Sequence, residues 1–226
     1  MLRRISEYST FVREFRRTFE TTGALLPSGR LLARAMVRPI SAHETPVRIL
    51  EVGAGTGAVT KEILRHVKSD DHFDVVELND RFVQVLQRRF ATEPAFQAVA
   101  DRTTILHAAV QDLQVTQPYD FIISGLPLNN FSTQLVKEIF QHLLTLLRPG
   151  GTLSFYEYLW IRRFKMLVST PKERRRVAEV GSLMKSYLKQ YEFHCDTIFV
   201  NLPPALAHHL RLEGNGNGSW HAPIVS

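Results

Sequence analysis

Glu51, Gly53, Gly55 and Gly57 stand at alternate positions in LEVGAGTGAVT (50–60), and a second carboxylate, Glu77, follows in VVELND (75–80). Glycines at this spacing let a backbone loop come close to a ligand, because no Cβ stands in the way. A pyrophosphate-binding loop uses G-x-G-x-x-G, so that the phosphates rest on a helix N-terminus. Here the spacing is G-x-G-x-G with an acidic residue in front, which carries no obvious phosphate cradle and puts a carboxylate beside the loop. A carboxylate suits a cation, such as the sulfonium and α-amino groups of S-adenosyl-L-methionine (SAM). Glu77, about twenty residues on and at a strand end, is placed to accept both hydroxyls of a ribose.

Such residues need strands to hold them at one edge. VRILEV (47–52) is a short apolar run ending in glycines, which suits a buried parallel strand. Helical spacing follows over 58–67 through Val59, Ile63 and Val67, and FDVVEL (73–78) reads as a second strand. A helix over 80–91 places Phe82, Val85, Leu86 and Phe90 on one face. TTILHA (103–108) and YDFIIS (119–124) are further strands. Ser132 caps a long helix whose Leu135, Val136, Ile139, Phe140, Leu143 and Leu147 face inward. That helix is expected to stop at Arg148-Pro149-Gly150-Gly151, with TLSFYEY (152–158) the next strand. After a basic helical segment, CDTIFVNL (195–202) and ALAHHLRL (205–212) read as a hairpin around Pro203-Pro204. The alternation predicts a doubly wound α/β sheet with an antiparallel C-terminal hairpin. The division expected is a helical, basic extension over 1–40, a catalytic domain over 41–213 and a flexible GNGNGS-containing tail over 214–226.

A chain of 226 residues, 44% hydrophobic and 22% charged, has the composition of one soluble globular domain with additions. No apolar run reaches the roughly 18 residues of a membrane span, and MLRRISEYST lacks the apolar region of a secretory signal. One cysteine, Cys195, excludes an internal disulfide and fits a reducing cytoplasm. The net charge of +6 is uneven: residues 1–40 carry +5, residues 160–190 carry +7, residues 41–159 carry −4 and the remainder −2. Two basic patches on a mildly acidic body point to nucleic acid or an anionic membrane surface, the plainer reading being solvated basic surface.

The loop SGLPLNNF (124–131) stands where an acceptor must meet the methyl group. Methylation of an adenine amine uses an Asn/Asp-x-Pro-aromatic loop, whose polar residue accepts from the amine while the ring stacks on the base. Gly125-Leu126-Pro127-Leu128 has neither side chain. An aliphatic loop reads as a wall for an acyl chain or small head group, or simply as a βα turn. Together GALLPSGRLLARAM (23–36), LEVGAGTGAVT, SGLPLNNF, LRPGG and VNLPPA (200–205) resemble the soluble bacterial phospholipid N-methyltransferases, class I SAM-dependent enzymes. The resemblance covers residues from about 10 to 212. It implies stepwise N-methylation of phosphatidylethanolamine towards phosphatidylcholine, with S-adenosyl-L-homocysteine as product, and related enzymes act on ornithine lipids. It further implies that Glu51, Gly53, Gly55, Thr56 and Gly57 surround the methionine part of SAM, and that Glu77 and Leu78 hold the ribose. Ser28 and Gly29 would cap the cofactor, and Ser124, Gly125 and Leu126 would line the methyl-transfer opening. Family members often place Gly-Asp-Ala after the third strand, the Asp contacting the adenine amine. This chain has Ala109 there, which leaves the backbone of Val110 or the side chains of Gln111 or Asp112 to substitute.

Two stretches fit an interface. Ile5, Tyr8, Val12, Phe15 and Phe19 form one apolar stripe with arginines away from it, and WIRRFKMLV (160–168) repeats the design. They predict peripheral binding to the anionic inner face of the cell membrane from the cytoplasm, or packing of the stripes on the sheet. Catalytic candidates are Tyr158 and Phe131, for cation–π contact with the growing ammonium, and Asn129 beside them. His43 is a candidate proton acceptor, its plainer reading a surface-loop histidine. Competing readings are an RNA adenine-N6 methyltransferase and a membrane-binding module with a vestigial SAM site.

Overall fold

The apolar runs at 48–52, 72–77 and 119–124 become strands buried on both faces, and the strand order decides which loops meet. The computed structural model describes residues 27–159, 170–201 and 203–212. Seven strands, β1 (Arg48–Val52), β2 (His72–Glu77), β3 (Thr103–His107), β4 (Tyr119–Ser124), β5 (Leu147–Tyr158), β6 (Glu192–Ile198) and β7 (Ala205–Arg211), form one sheet. Their order is β3-β2-β1-β4-β5-β7-β6. β1 to β5 run parallel, and β7 lies antiparallel between β5 and β6. The order reverses between β1 and β4, so the loops after these strands open in different directions and leave a crevice at the carboxyl edge.

Helices α1 (Pro27–Val37), α2 (Thr60–Ile63), α3 (Asp80–Thr92), α4 (Pro94–Gln97), α5 (Thr133–Leu146) and α6 (Pro171–Tyr191) cover the sheet. Leu50, Val52, Ile122, Leu153, Phe155 and Leu210 pack with α5 and α6 on one face. Ile49, Val75, Ile123, Ala205 and Ala207 pack with α1, α3 and α4 on the other. The doubly wound α/β sheet and closing hairpin expected from the alternation are present, the hairpin's first strand running over Glu192–Ile198 rather than 195–202. Leu32, Met36 and Val37 of α1 belong to the second apolar layer, so this helix is part of the core. Side-chain caps start three helices: Asn79 accepts from the amides of Arg81 and Phe82, Ser132 from Leu135, and Thr170 from Glu173.

Three local expectations change. The helix over 58–67 shrinks to Thr60–Ile63, because the amides of Arg65 and His66 bond three residues back, to Glu62 and Ile63, and tighten the coil. The buried stripe of α3 is Val83, Leu86 and Phe90, with Phe82 and Val85 only partly covered. Arg148-Pro149-Gly150-Gly151 is not a turn before a strand. β5 begins at Leu147 opposite Tyr119, and register resumes at Thr152 opposite Phe121. The extra residues bulge out through Gly150, whose φ of +78° is open to glycine at no steric cost. The stripes over 1–20 and 160–168 and the tail over 214–226 lie outside the described residues. No helix among the described residues is long and apolar enough to cross a membrane.

Candidate active site

At the end of β1 the chain turns through Gly53 (φ +72°), Gly55 (φ +57°) and Gly57 (φ +86°), conformations that an L side chain rarely adopts. The alternation of glycines is thus a run of left-handed positions. The Gly55 amide donates to Glu77 Oε2 at 2.8 Å, and the Asn79 amide donates to Glu77 Oε1 at 2.8 Å. Glu77 therefore ties the ends of β1 and β2 together, and each oxygen keeps a second lone pair for a diol. Burial pushes its carboxyl above the usual range, against the pull of the backbone donors of Asn79 and Gly55. Leu78 follows it, partly buried against the first apolar layer.

Glu51 is 1% exposed, and burial raises its carboxyl to about 8, opposed by the adjacent Thr60 and increased by the charge of Glu77. Thr60 Oγ1 lies beside the Glu51 carboxyl, and Glu51 Oε2 is buried with no close hydrogen-bond partner among the described residues. After β3, Val110 is buried at the start of a short 3-10 turn, and the neighbouring Gln111 Oε1 is a buried acceptor without a partner among the described residues. Orphan acceptors are costly, and they fit a ligand that brings a cation and an amine. A Cβ on Gly55 would meet nothing within 4 Å, so this glycine borders open space.

The loop after β4 lies against this one. The Gly125 amide donates to Val52 O at 2.8 Å. A Cβ on Gly125 would stand 2.7 Å from Gly53 O, and one on Gly53 would stand 2.7 Å from Leu126 Cδ2. Ser124 is the last residue of β4 and is buried between Val52 and Phe155. Leu126, Leu128 and Phe131 are buried in the first apolar layer. The aliphatic side chains therefore fill the core, and the expected wall for a ligand is not formed by them. Asn129 is half-buried on the same loop.

A profile of the family described as a methyltransferase domain matches residues 49–151. Ornithine lipid N-methyltransferase of Singulisphaera acidiphila is 30% identical over 184 residues, covering 79% of this chain and 95% of that protein. The chain belongs to the class I methyltransferases, whose cofactor is SAM. The crystal structure of N-methyltransferase NodS from Bradyrhizobium japonicum with S-adenosyl-L-homocysteine shares the fold at a TM-score of 0.61 and 15% identity, covering 91% of this chain and 98% of that one. A tRNA (adenine-N6) methyltransferase of Aeromonas hydrophila is 30% identical over only 80 residues, 35% of this chain and 32% of that protein.

For this methyltransferase the residues present fit the cofactor. Glu51 and the glycine loop would hold its cationic end, Glu77 the ribose, and Gln111 the adenine amine. Ser28 and Gly29 sit in the first turn of α1, which packs on β5, β7 and α2.

The expected pairing of Tyr158 with Phe131 is not formed. Side chains alternate along β5, so Tyr156 and Tyr158 pack on the second layer with ring centroids 5.2 Å apart. Phe131 is sealed in the first layer on the other side of the sheet. Burial raises the Tyr158 hydroxyl above its ordinary range, so it acts as a donor at neutral pH rather than as a base. His43 is neither a surface residue nor a base for the site. It is buried against Asp71 at 2.9 Å, and Asp71 also accepts from the Val47 amide, before the start of β1 and away from the crevice.

Two arginines were missed in the sequence. Arg89 of α3 donates to the carbonyls of Thr56 (2.6 Å) and Gly57 (3.2 Å), is held by Glu93, and lies over the Phe96 ring. Arg176 of α6 donates to the carbonyls of Phe131 (2.6 Å) and Asn129 (3.3 Å). Each clamps one of the two loops from outside. Their partners are backbone atoms remote in sequence, so no residue pattern announces them.

Proposed function

We propose that this methyltransferase N-methylates the free primary amine of a membrane lipid, with ornithine lipid the first substrate to test and phosphatidylethanolamine the second. The observation that carries the reading is similarity over nearly the whole length of the Singulisphaera lipid N-methyltransferase. It moves the first head group to test away from phosphatidylethanolamine, which the sequence motifs alone favour. The acceptor loop supports an amine other than a base: Leu126 and Leu128 are buried, and Phe131, the loop's own ring, is sealed in the core.

SAM supplies an electrophilic methyl group for in-line displacement, and the chain's own residues position the amine and exclude water. Gly125, pinned to Val52, and Arg176, bound to two loop carbonyls, fix the floor against which the amine must arrive. Asn129 offers a side-chain acceptor on that loop, and Tyr158 offers a π-face and a protonated hydroxyl at the end of β5. An alkyl ammonium titrates near about 10.4, so the amine must lose its proton before attack, and no histidine of the described residues is placed here to take it. Transfer of that proton to water is the simplest route consistent with the residues at this edge.

The test is transfer of label from tritiated SAM to vesicles carrying ornithine lipid or phosphatidylethanolamine, beside an unmodified adenine-bearing RNA. Labelled lipid with inert RNA is expected, ornithine lipid being the faster. Labelled RNA with untouched lipid overturns the reading.

A further inference from the structure

The edge that carries the glycine loop also carries the tip of the β6–β7 hairpin. β5 runs parallel to β1 and β4 and ends at Tyr158, opposite Ala205, the first residue of β7. Ala205 in turn faces Ile198, the last residue of β6. Residues 199–201 and 203–204 therefore lie at the crevice side of the sheet. The turn has inverted polarity: Asn201 is 3% exposed, whereas Phe199 is 75% and Val200 68% exposed. Asn201 explains the burial, since its side chain donates to Pro203 O at 2.7 Å and its amide to Ile198 O. The Leu159 amide donates to Pro204 O and fastens the turn to the end of β5. A built turn thus spends its polar side chain inside and holds two adjacent apolar ones in solvent. Phe199 and Val200 are the most exposed large apolar residues among those described.

A basic cluster shares the edge. α6 begins at Pro171, and Arg176 in its second turn already reaches the loop after β4. Residues 172–176 read KERRR, four cations and one anion. Arg174 and Arg175 are exposed, the latter with 86% of its side chain free to solvent beside Glu179. Apolar side chains flanked by cations match the two layers of an anionic bilayer surface, acyl boundary and phosphate.

We propose that the hairpin tip, Phe199 and Val200, inserts into an anionic lipid bilayer while Arg174 and Arg175 engage its phosphates, setting the crevice against the membrane. This rests on the lipid-substrate reading and gives it a docking geometry that uses neither stripe expected from the sequence. Protein would meet bilayer at the edge where the acceptor loop opens, so a lipid amine enters the crevice without leaving the membrane.

The experiment compares the full chain with Phe199→Ser/Val200→Asp and with Arg174→Glu/Arg175→Glu. Sedimentation uses phosphatidylcholine vesicles with and without phosphatidylglycerol, and methyl transfer to a monomeric short-chain lipid amine is measured in parallel. Burial of two apolar side chains implies that the hairpin variant loses vesicle binding by about tenfold or more. The arginine variant should lose only the phosphatidylglycerol-dependent part, and both should keep SAM binding and activity on the dispersed amine. Equal sedimentation of wild type and hairpin variant overturns the inference, as does loss of activity on the dispersed amine with SAM binding intact. A bimane label on Val200→Cys in a Cys195→Ser background guards against a misfolded variant. Its emission should shift to the blue on adding vesicles. A label already blue-shifted in buffer and unmoved by vesicles means that the chain or a second copy covers the tip, which also overturns it. If the tip docks but no lipid amine is methylated in any form, the substrate reading fails and the docking stands. If dispersed lipid amine is methylated while the tip variants bind vesicles like wild type, the reverse holds.

Discussion

The two halves of the crevice are built on different physics. On the β1–β2 side the backbone itself is shaped: three glycines at positive φ, a carboxylate tying two strand ends, and buried acceptors left without partners. On the β4–β5 side the loop is shaped from outside, by a glycine-to-backbone contact, by apolar side chains sunk into the core and by Arg176. The first half offers a ligand buried polar atoms that the described residues leave unsatisfied. The second offers few inward-pointing polar groups, so its selectivity rests on position and access. That difference explains why the cofactor is legible from residue types and the acceptor is not.

The comparison breaks most readily where the halves touch. Gly125→Ala puts a Cβ 2.7 Å from Gly53 O, a backbone atom that cannot swing aside. The two loops must separate, and a misplacement near 1 Å costs about a hundredfold in rate. Gly55→Ala makes a useful contrast, because its Cβ meets nothing and the cost is φ strain of roughly 1–2 kcal/mol. Turnover and SAM calorimetry on both variants should show Gly125→Ala folded but nearly inactive, and Gly55→Ala failing chiefly in SAM affinity. Equal turnover of Gly125→Ala and wild type would mean that the loops do not depend on each other.

Glu51 tests the first half by pH. Its carboxyl titrates at about 8 in the folded protein against 4.5 for the free group, a raised value, so its stabilising protonated form is complete below 4.5 and is lost as pH rises through 8. Glu51→Gln removes that dependence. Without cofactor, the variant should melt near the wild-type temperature at acidic pH and several degrees above it beyond pH 8. SAM affinity should move oppositely: a cation favours the ionised carboxylate, so wild-type binding should tighten about tenfold or more as pH rises towards 8, while Glu51→Gln stays flat and weak. Wild-type SAM affinity independent of pH would remove Glu51 from the cationic end of the site.

Arg176→Ala tests the second half alone. A charged donor to two carbonyls is worth roughly 1.5–3 kcal/mol per bond when formed, less here because the side chain is partly exposed. The loop should loosen and methyl transfer should fall about tenfold, with SAM affinity unchanged. A parallel fall in SAM affinity would mean that the halves share one scaffold after all.

How far the sequence reached follows the same division. VRILEV, FDVVEL and YDFIIS were readable as strands because strands buried on both faces need continuous apolar runs, and Glu77 was readable from its spacing. The length of α2 was not, since tightening by i−3 bonds depends on packing rather than residue type. β5 passing through Arg148-Pro149-Gly150-Gly151 was hidden because Pro and Gly signal a turn equally well inside a bulge. Tyr158 and Phe131 misled for a related reason. Alternation tells which residues of one strand share a face, but nothing in a loop's sequence tells on which face its own ring will be buried. Arg89 and Arg176 bind carbonyls, which every residue has, so only the fold could reveal them.

The smallest effect is also the most diagnostic. Gln111 Oε1 is buried without a partner among the described residues, close after β3, where the chain has Ala109 and the family resemblance leads one to expect an aspartate. An acceptor in that state costs stability until a ligand donates to it, and we propose the adenine amine of SAM as that donor. Gln111→Ala removes both the cost and the bond. Without cofactor the variant should melt about 2 °C higher, the shift expected from relieving something near 1 kcal/mol in a domain of this size. SAM affinity should fall roughly fivefold, in the range of one neutral hydrogen bond, while sinefungin, which keeps the same adenine, should fall by the same factor. An analogue lacking the amine, such as the inosine counterpart, should bind wild type and variant alike. A structural role for Gln111 would lower melting temperature and affinity together and make no distinction between the two ligands. Opposite signs for stability and binding, with the loss confined to ligands bearing the amine, place Gln111 in the first half of the crevice as its adenine contact.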